Sequence, residues 1–142
     1  EANLVQRSLL RAAGLAGLTG LRIAVPLRDP ALITDTPRWR DYMRDDPLKV
    51  RRITIRFALA DLKLTEFALA APEHIRVPAL LVLAGRERIL DNSRTLDWFR
   101  RFRSPDKTQI TYPAAGHTVE FEPDPSDYLR DLSDWVSRVT RA

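Results

Sequence analysis

Two short stretches of this 142-residue chain hold the side-chain types that acid–base chemistry uses. One, Gly85-Arg86-Glu87-Arg88-Ile89-Leu90-Asp91, carries two carboxylates; the other, Tyr112-Pro113-Ala114-Ala115-Gly116-His117-Thr118, carries an imidazole. A carboxylate that accepts a hydrogen bond from imidazole Nδ1–H fixes the ring tautomer and leaves Nε2 free to take a proton from a nucleophile. Competing readings exist for each group. Glu87, between Arg86 and Arg88, also suits a surface ion pair of little energetic weight, and His117 a polar loop position without a role. Asp91 stands beside Asn92, where a helix cap is wanted. His74, between Glu73 and Ile75, has no assigned chemistry, and Glu120 and Glu122 are available to pair with loop arginines.

For those two stretches to meet, they must leave the same edge of one sheet, because working groups in open α/β sheets sit just past the carboxyl ends of the strands. Val77–Ala84 is a short apolar run bounded by Pro78 and Gly85, of the kind that suits a strand buried on both faces. Lys107–Tyr112 alternates as a strand, with Ile110 and Tyr112 on one face. Between them, Asn92 is placed to cap a helix reaching Phe102, with Leu96, Phe99 and Phe102 along one side. Asp127–Val139 predicts a closing amphipathic helix whose stripe is Tyr128, Leu129, Leu132, Trp135, Val136 and Val139. Strand, helix, strand, helix at these lengths implies a parallel pair. Two parallel strands make no sheet by themselves, so this half reads as the end of a larger one.

The N-terminal half reads differently. Val5, Leu9, Ala12, Ala13 and Ala16 recur at helical spacing, and Gly14, Gly17 and Gly20 then break the pattern. Those glycines match neither a dinucleotide fingerprint nor a phosphate loop. Pro26 to Pro47 is a loop-rich stretch with a short helix. Asp46-Pro47 predicts a helix from Pro47 to about Ala70, with Val50, Ile53, Phe57, Leu62 and Phe67 on its apolar face. Ile53, Ile55 and Phe57 also alternate as a strand would. Trp39, Tyr42, Trp98 and Trp135 read first as packing residues.

Composition excludes several classes. At 44% hydrophobic and 30% charged residues the chain is a packed globule and not a disordered one. It has no Cys, hence no disulfide, thiolate zinc site or Cys nucleophile, and its two His residues lie too far apart to suggest a metal site. No metal and no cofactor are expected. The net charge of +4 comes from 23 Lys and Arg against 19 Asp and Glu, and the arginines alternate with aspartates instead of forming the stripe that nucleic acid requires. No apolar run approaches the roughly 20 residues of a transmembrane helix, and no secretory signal is visible. The chain begins at Glu1 and not Met, so a missing leader says little. Cytoplasm or membrane periphery are the fitting settings.

The run from Ile75 to Asp91, then Asp106-Lys107 and Gly116-His117, resembles the C-terminal half of serine α/β-hydrolases of the monoacylglycerol lipase and lysophospholipase type. Pro26-Leu27-Arg28-Asp29-Pro30, Thr36-Pro37-Arg38-Trp39 and Asp45-Asp46-Pro47-Leu48 are similar to the cap, or lid, of the same group. The resemblance implies a partial α/β-hydrolase fold: a helical cap segment over residues 1–72, followed over 73–142 by the last two parallel strands and their flanking helices. It places the triad acid on Glu87, where the family usually has Asp, and the base on His117, with Asp91 as the alternative acid. Ile89, Leu90 and Thr118 beside the triad, and Leu27, Leu32, Ile33 and Trp39 in the cap, are offered as substrate contacts.

A nucleophile elbow needs Ser between small residues, Gly-x-Ser-x-Gly. Ser8, Ser93, Ser104, Ser126, Ser133 and Ser137 all lack flanking Gly. The His-Gly pair of an oxyanion-hole loop is missing too, so both parts should precede Glu1. The expectation is a portion of a serine ester hydrolase that supplies acid, base and lid, is inactive alone, and has as partners an acyl-ester or lysolipid substrate and the upstream half of the same hydrolase or a partner chain. The alternative is a non-catalytic, hydrolase-like module that binds a partner through an open sheet edge.

Overall fold

The computed structural model describes residues 4–25 and 29–141. Two compact units divide the chain: Glu1–Arg28 with Pro47–Ala71, and Asp29–Asp46 with Pro72–Ala142.

In the first unit, α1 (Leu4–Leu15) ends where Gly17 turns the backbone to φ 76°, a left-handed conformation that glycine adopts without steric cost. Strand β1 (Arg22–Ala24) then pairs antiparallel with β2 (Arg52–Thr54). This pairing corrects the helix expected from Pro47. Residues 52–54 are held in an extended ladder, and the helix α3 runs only over Ile55–Ala70, capped by the Thr54 hydroxyl accepting from the Phe57 amide. The shift of start changes the buried face to Ile55, Ala58 and Leu62, leaving Val50, Phe57 and Phe67 exposed. Arg11 of α1 and Glu66 of α3 form an ion pair at 2.6 Å.

The second unit begins with a 3₁₀ turn at Pro30–Leu32 and the short helix α2 (Pro37–Asp45). This segment packs with the C-terminal residues: the hydroxyls of Thr34 and Thr36 both donate to the Phe121 carbonyl, and Trp39 stacks on Phe121 at 4.5 Å. Strand β3 (Ala79–Ala84) lies parallel to β4 (Lys107–Tyr112), in a register from Ala79 opposite Lys107 to Ala84 opposite Tyr112. Helix α4 (Asn92–Arg100) connects them, and its last turn is closed by Lys107 donating to the carbonyls of Arg100 and Phe102, which suits a cation at a helix C-terminus. Its N-cap is Asp91, not Asn92: the Asn92 amide instead donates to the Ala84 carbonyl at 2.8 Å. Helix α5 (Ser126–Thr140) follows, tied to the start of β4 by a bidentate Arg138–Asp106 pair and to its end by the Tyr112 hydroxyl donating to Asp131. Of its expected stripe, Leu129 and Val136 are exposed. Ala84, Ala115 and Val119, with Val82, Tyr112 and Tyr128 against them, form a small core at the carboxyl ends of both strands. The foundation of the two chemistry-bearing loops is therefore apolar and packed.

Candidate active site

Because β3 and β4 run parallel and end level with each other, both following loops emerge at one rim. The chain after β3 stays beside the chain after β4: the Gly85 amide donates to the Tyr112 carbonyl and the Arg86 amide to the Ala115 carbonyl, each at 2.9 Å. Glycine is required at 85 by proximity. A Cβ there would fall 2.5 Å from the Pro113 Cα, with no flexible side chain able to yield.

This approach brings Glu87 and His117 together, with Oε2 and Nδ1 2.7 Å apart. The Glu87 side chain is buried to 7% exposure, while His117 retains 29%. The second carboxylate oxygen, Oε1, accepts from the amides of Arg88, Ile89 and Leu90 at 2.9, 2.7 and 3.2 Å. Burial is the largest influence on Glu87 and opposes its charge, but the Ile89 amide, His117 and the Leu90 amide together outweigh it and hold the carboxyl below its ordinary range. An ionised carboxylate has no proton to give, so Nδ1 is the donor and Nε2 the basic nitrogen of the neutral ring.

Asp91 serves another purpose. Its Oδ1 accepts from the amides of Ser93 and Arg94 and from the Ser93 hydroxyl, and these bonds, led by the hydroxyl, hold its carboxyl below the usual range. A cleft of about 310 Å³ opens beside the pair, lined by Glu87, Leu90, His117 and Glu120 together with Thr95 and Tyr128 from the flanking helices. Ile89 and Thr118 are not in that lining. Ile89 is bound to Glu87 through its amide, and the Thr118 amide donates to the Ile33 carbonyl. Ile33 and Trp39 are engaged in packing of the Asp29–Asp46 segment, and Leu27 lies outside the described residues. Among the described residues no group of three or more His, Cys, Asp or Glu could hold a metal ion, and no helix is long and apolar enough to cross a membrane.

Sequence reading did not single out Asp35. Its carboxylate meets Arg40 at 2.6 Å, Arg88 at 2.9 Å and Arg86 at 3.3 Å. Glu122, noted only as a partner for loop arginines, accepts from the Gly116 amide at 2.6 Å and faces Arg86 at 3.7 Å. The local signal was faint: an aspartate in a Pro-rich loop is commonplace, and its three partners are set by folding.

A parallel strand pair with α4 crossing between the strands and a carboxylate–imidazole pair at its rim defines an α/β-hydrolase-like fold. The family model described as serine aminopeptidase, S33, matches residues 2–124, and the chain belongs to that hydrolase family. A monoacylglycerol lipase crystal structure from Paleococcus ferrophilus superposes with a TM-score of 0.84 at 22% identity, covering 99% of this chain and 54% of that one. A soluble variant of monoglyceride lipase from Saccharomyces cerevisiae, in complex with a substrate analogue, gives a TM-score of 0.73 at 19% identity, covering 94% of this chain and 50% of that one. The phospholipase YtpA of Bacillus subtilis is 27% identical over 88 residues, 61% of this chain and 34% of that protein. The chain thus spans about half the length of the solved structures it matches.

Proposed function

We propose that this chain is the acid-, base- and lid-bearing portion of a serine ester hydrolase acting on monoacylglycerols, lysophospholipids or similar small acyl esters, with His117 as base and Glu87 as the acid that orients it. In this reading residues 1–72 supply the lid and 73–142 the catalytic part of the core, with the lid segment Asp29–Asp46 packed in one compact unit with the catalytic part. The observation that carries the reading is the 2.7 Å contact between a buried carboxylate and Nδ1 at the shared rim of two parallel strands. The names of the similar lipases and of the phospholipase support the acyl-ester class.

In this reading Nε2 of His117 takes the proton of a serine hydroxyl as its oxygen attacks the ester carbonyl. The same nitrogen returns the proton to the departing alcohol, leaving an acyl-enzyme. Water then attacks the acyl carbon, giving its proton to His117, and the fatty acid leaves as serine recovers its hydrogen. Glu87 stays ionised throughout and stabilises the imidazolium. The nucleophile comes from outside these 142 residues, because none of their six serines has the glycine-flanked setting of an elbow. The chain alone is therefore inactive in this proposal.

The test uses the hydrolase completed by a nucleophile-bearing half. His117→Ala should lower ester turnover by roughly 10³-fold or more with the fold retained by circular dichroism. Turnover near that of the unaltered protein defeats the assignment.

A further inference from the structure

Resting on the reading of Glu87 and His117 as acid and base, we propose that Asp35 is a positioning residue for that pair, acting through the arginines on either side of Glu87. Asp35 is remote in sequence from both loops, yet its two oxygens receive three guanidinium groups. Oδ1 accepts from Arg40 at 2.6 Å and from Arg88 Nη1 at 2.9 Å, while Oδ2 accepts from Arg88 Nη2 at 3.1 Å and faces Arg86 at 3.3 Å. The Arg88 contact is bidentate, the geometry in which a carboxylate constrains a guanidinium in direction as well as distance. Arg88 is fixed further by donating to the Ala31 carbonyl at 2.7 Å, and Arg40 by donating to the Thr34 carbonyl at 2.7 Å.

The network continues into the histidine loop. Arg86 also faces Glu122, whose other oxygen accepts from the amide of Gly116, the residue before His117. Thus both neighbours of Glu87 and the preceding neighbour of His117 are gathered by carboxylates that take no part in the pair itself. Single exposed ion pairs contribute little. Here Asp35 retains 29% side-chain exposure and Glu122 16%, and the charges form one connected set. A displacement of about 1 Å between reacting groups costs on the order of 100-fold in rate, so modest slack in either loop matters.

A positioning role and a through-space charge effect predict opposite signs for one variant, which makes the proposal testable in the completed hydrolase. Asp35→Asn and Arg88→Gln should each lower kcat by about tenfold with KM nearly unchanged. Both should also move the acid limb of the kcat/KM profile to lower pH, because an imidazolium less well held by Glu87 loses its proton more readily. The double variant should be no worse than the poorer single one, since both changes break the same link. Thermal melts report folding, and Asp35→Glu should restore part of the lost kcat.

An upward shift of the acid limb in Arg88→Gln would mean that only nearby charge matters and would overturn the proposal. So would unchanged kcat and pH profile in both variants, or activity losses matching the loss of folded protein. His117→Ala separates the two levels of inference. Its loss of turnover alongside intact Asp35→Asn and Arg88→Gln variants sinks the positioning role alone, whereas its retention of turnover removes the base assignment and the positioning role together.

Discussion

Glutamate carries one methylene more than aspartate, and Glu87 uses that reach to turn one oxygen back onto the amides of Arg88, Ile89 and Leu90 while the other meets His117. The loop therefore clamps its own acid. Glu87→Gln keeps the shape but removes the charge and turns one acceptor into a donor, and under the proposed mechanism it should lower kcat by about 10²–10⁴-fold. Asp91→Asn should change it only a few-fold, since Asn caps a helix about as well as Asp. Steady-state ester hydrolysis by the two variants decides between them, and the reverse ranking would transfer the acid role to Asp91. At this scale the residue types were legible in sequence: a carboxylate and an imidazole after two strand-like runs. Residue type and spacing alone left Glu87 and Asp91 both open, and only the resemblance ranked Glu87 first; the 2.7 Å contact with the ring is what the structure adds.

The elements explain why the pair can form. β3 and β4 end in register, and the close passage of Gly85 beneath the Pro113 backbone keeps the loops together. Gly85→Ala should therefore destabilise the protein by about 1–3 kcal/mol, as overpacking against unyielding backbone does, and under the proposed function should weaken ester turnover of the completed hydrolase by separating the loops. A urea midpoint and activity equal to those of the unaltered protein would show that the loops adjust without cost. Where sequence periodicity was long and strong, as in β4 and α5, the elements formed as read. It misled at residues 52–54, where Asp46-Pro47 looked like a helix start. Those residues pair with Arg22–Ala24, a partner thirty residues earlier, and that ladder delays the helix to Ile55. Local capping signals cannot report a partner so distant in the chain.

Across the second unit, several carboxylates are held below their ordinary range by partners formed on folding: Asp35 chiefly by its bond to Arg88, Asp106 by Arg138, Asp124 by Ser126, and Glu87 by amides and His117 against the opposing effect of burial. A carboxyl whose pKa is depressed in the folded state contributes stability that is complete above its unfolded value and disappears as pH falls through the folded one. Starting from ordinary values of 3.8 for Asp and 4.5 for Glu, the stability these carboxylates contribute should be complete above about pH 5 and decline steadily below it. Urea midpoints measured from pH 7 to pH 3 check this, and in Glu87→Gln the decline should be shallower. A midpoint that stays level or rises as pH falls below about 5 would show that these charged carboxylates do not stabilise the fold.

By itself the sequence determined the chemical inventory, the absence of thiol chemistry, the strand–helix–strand–helix order of the C-terminal half and the resemblance to α/β-hydrolases that family membership confirms. These are properties of residue type and of near-neighbour periodicity, which one chain carries openly. Only the tertiary structure decided that Glu87 meets His117, that Asp91 caps α4, that residues 52–54 pair with 22–24, and that Asp35 gathers Arg40, Arg86 and Arg88. All but the Asp91 cap depend on which distant segments are packed side by side, and polar contacts of 2.6–3.3 Å follow from that packing and not from spacing along the chain.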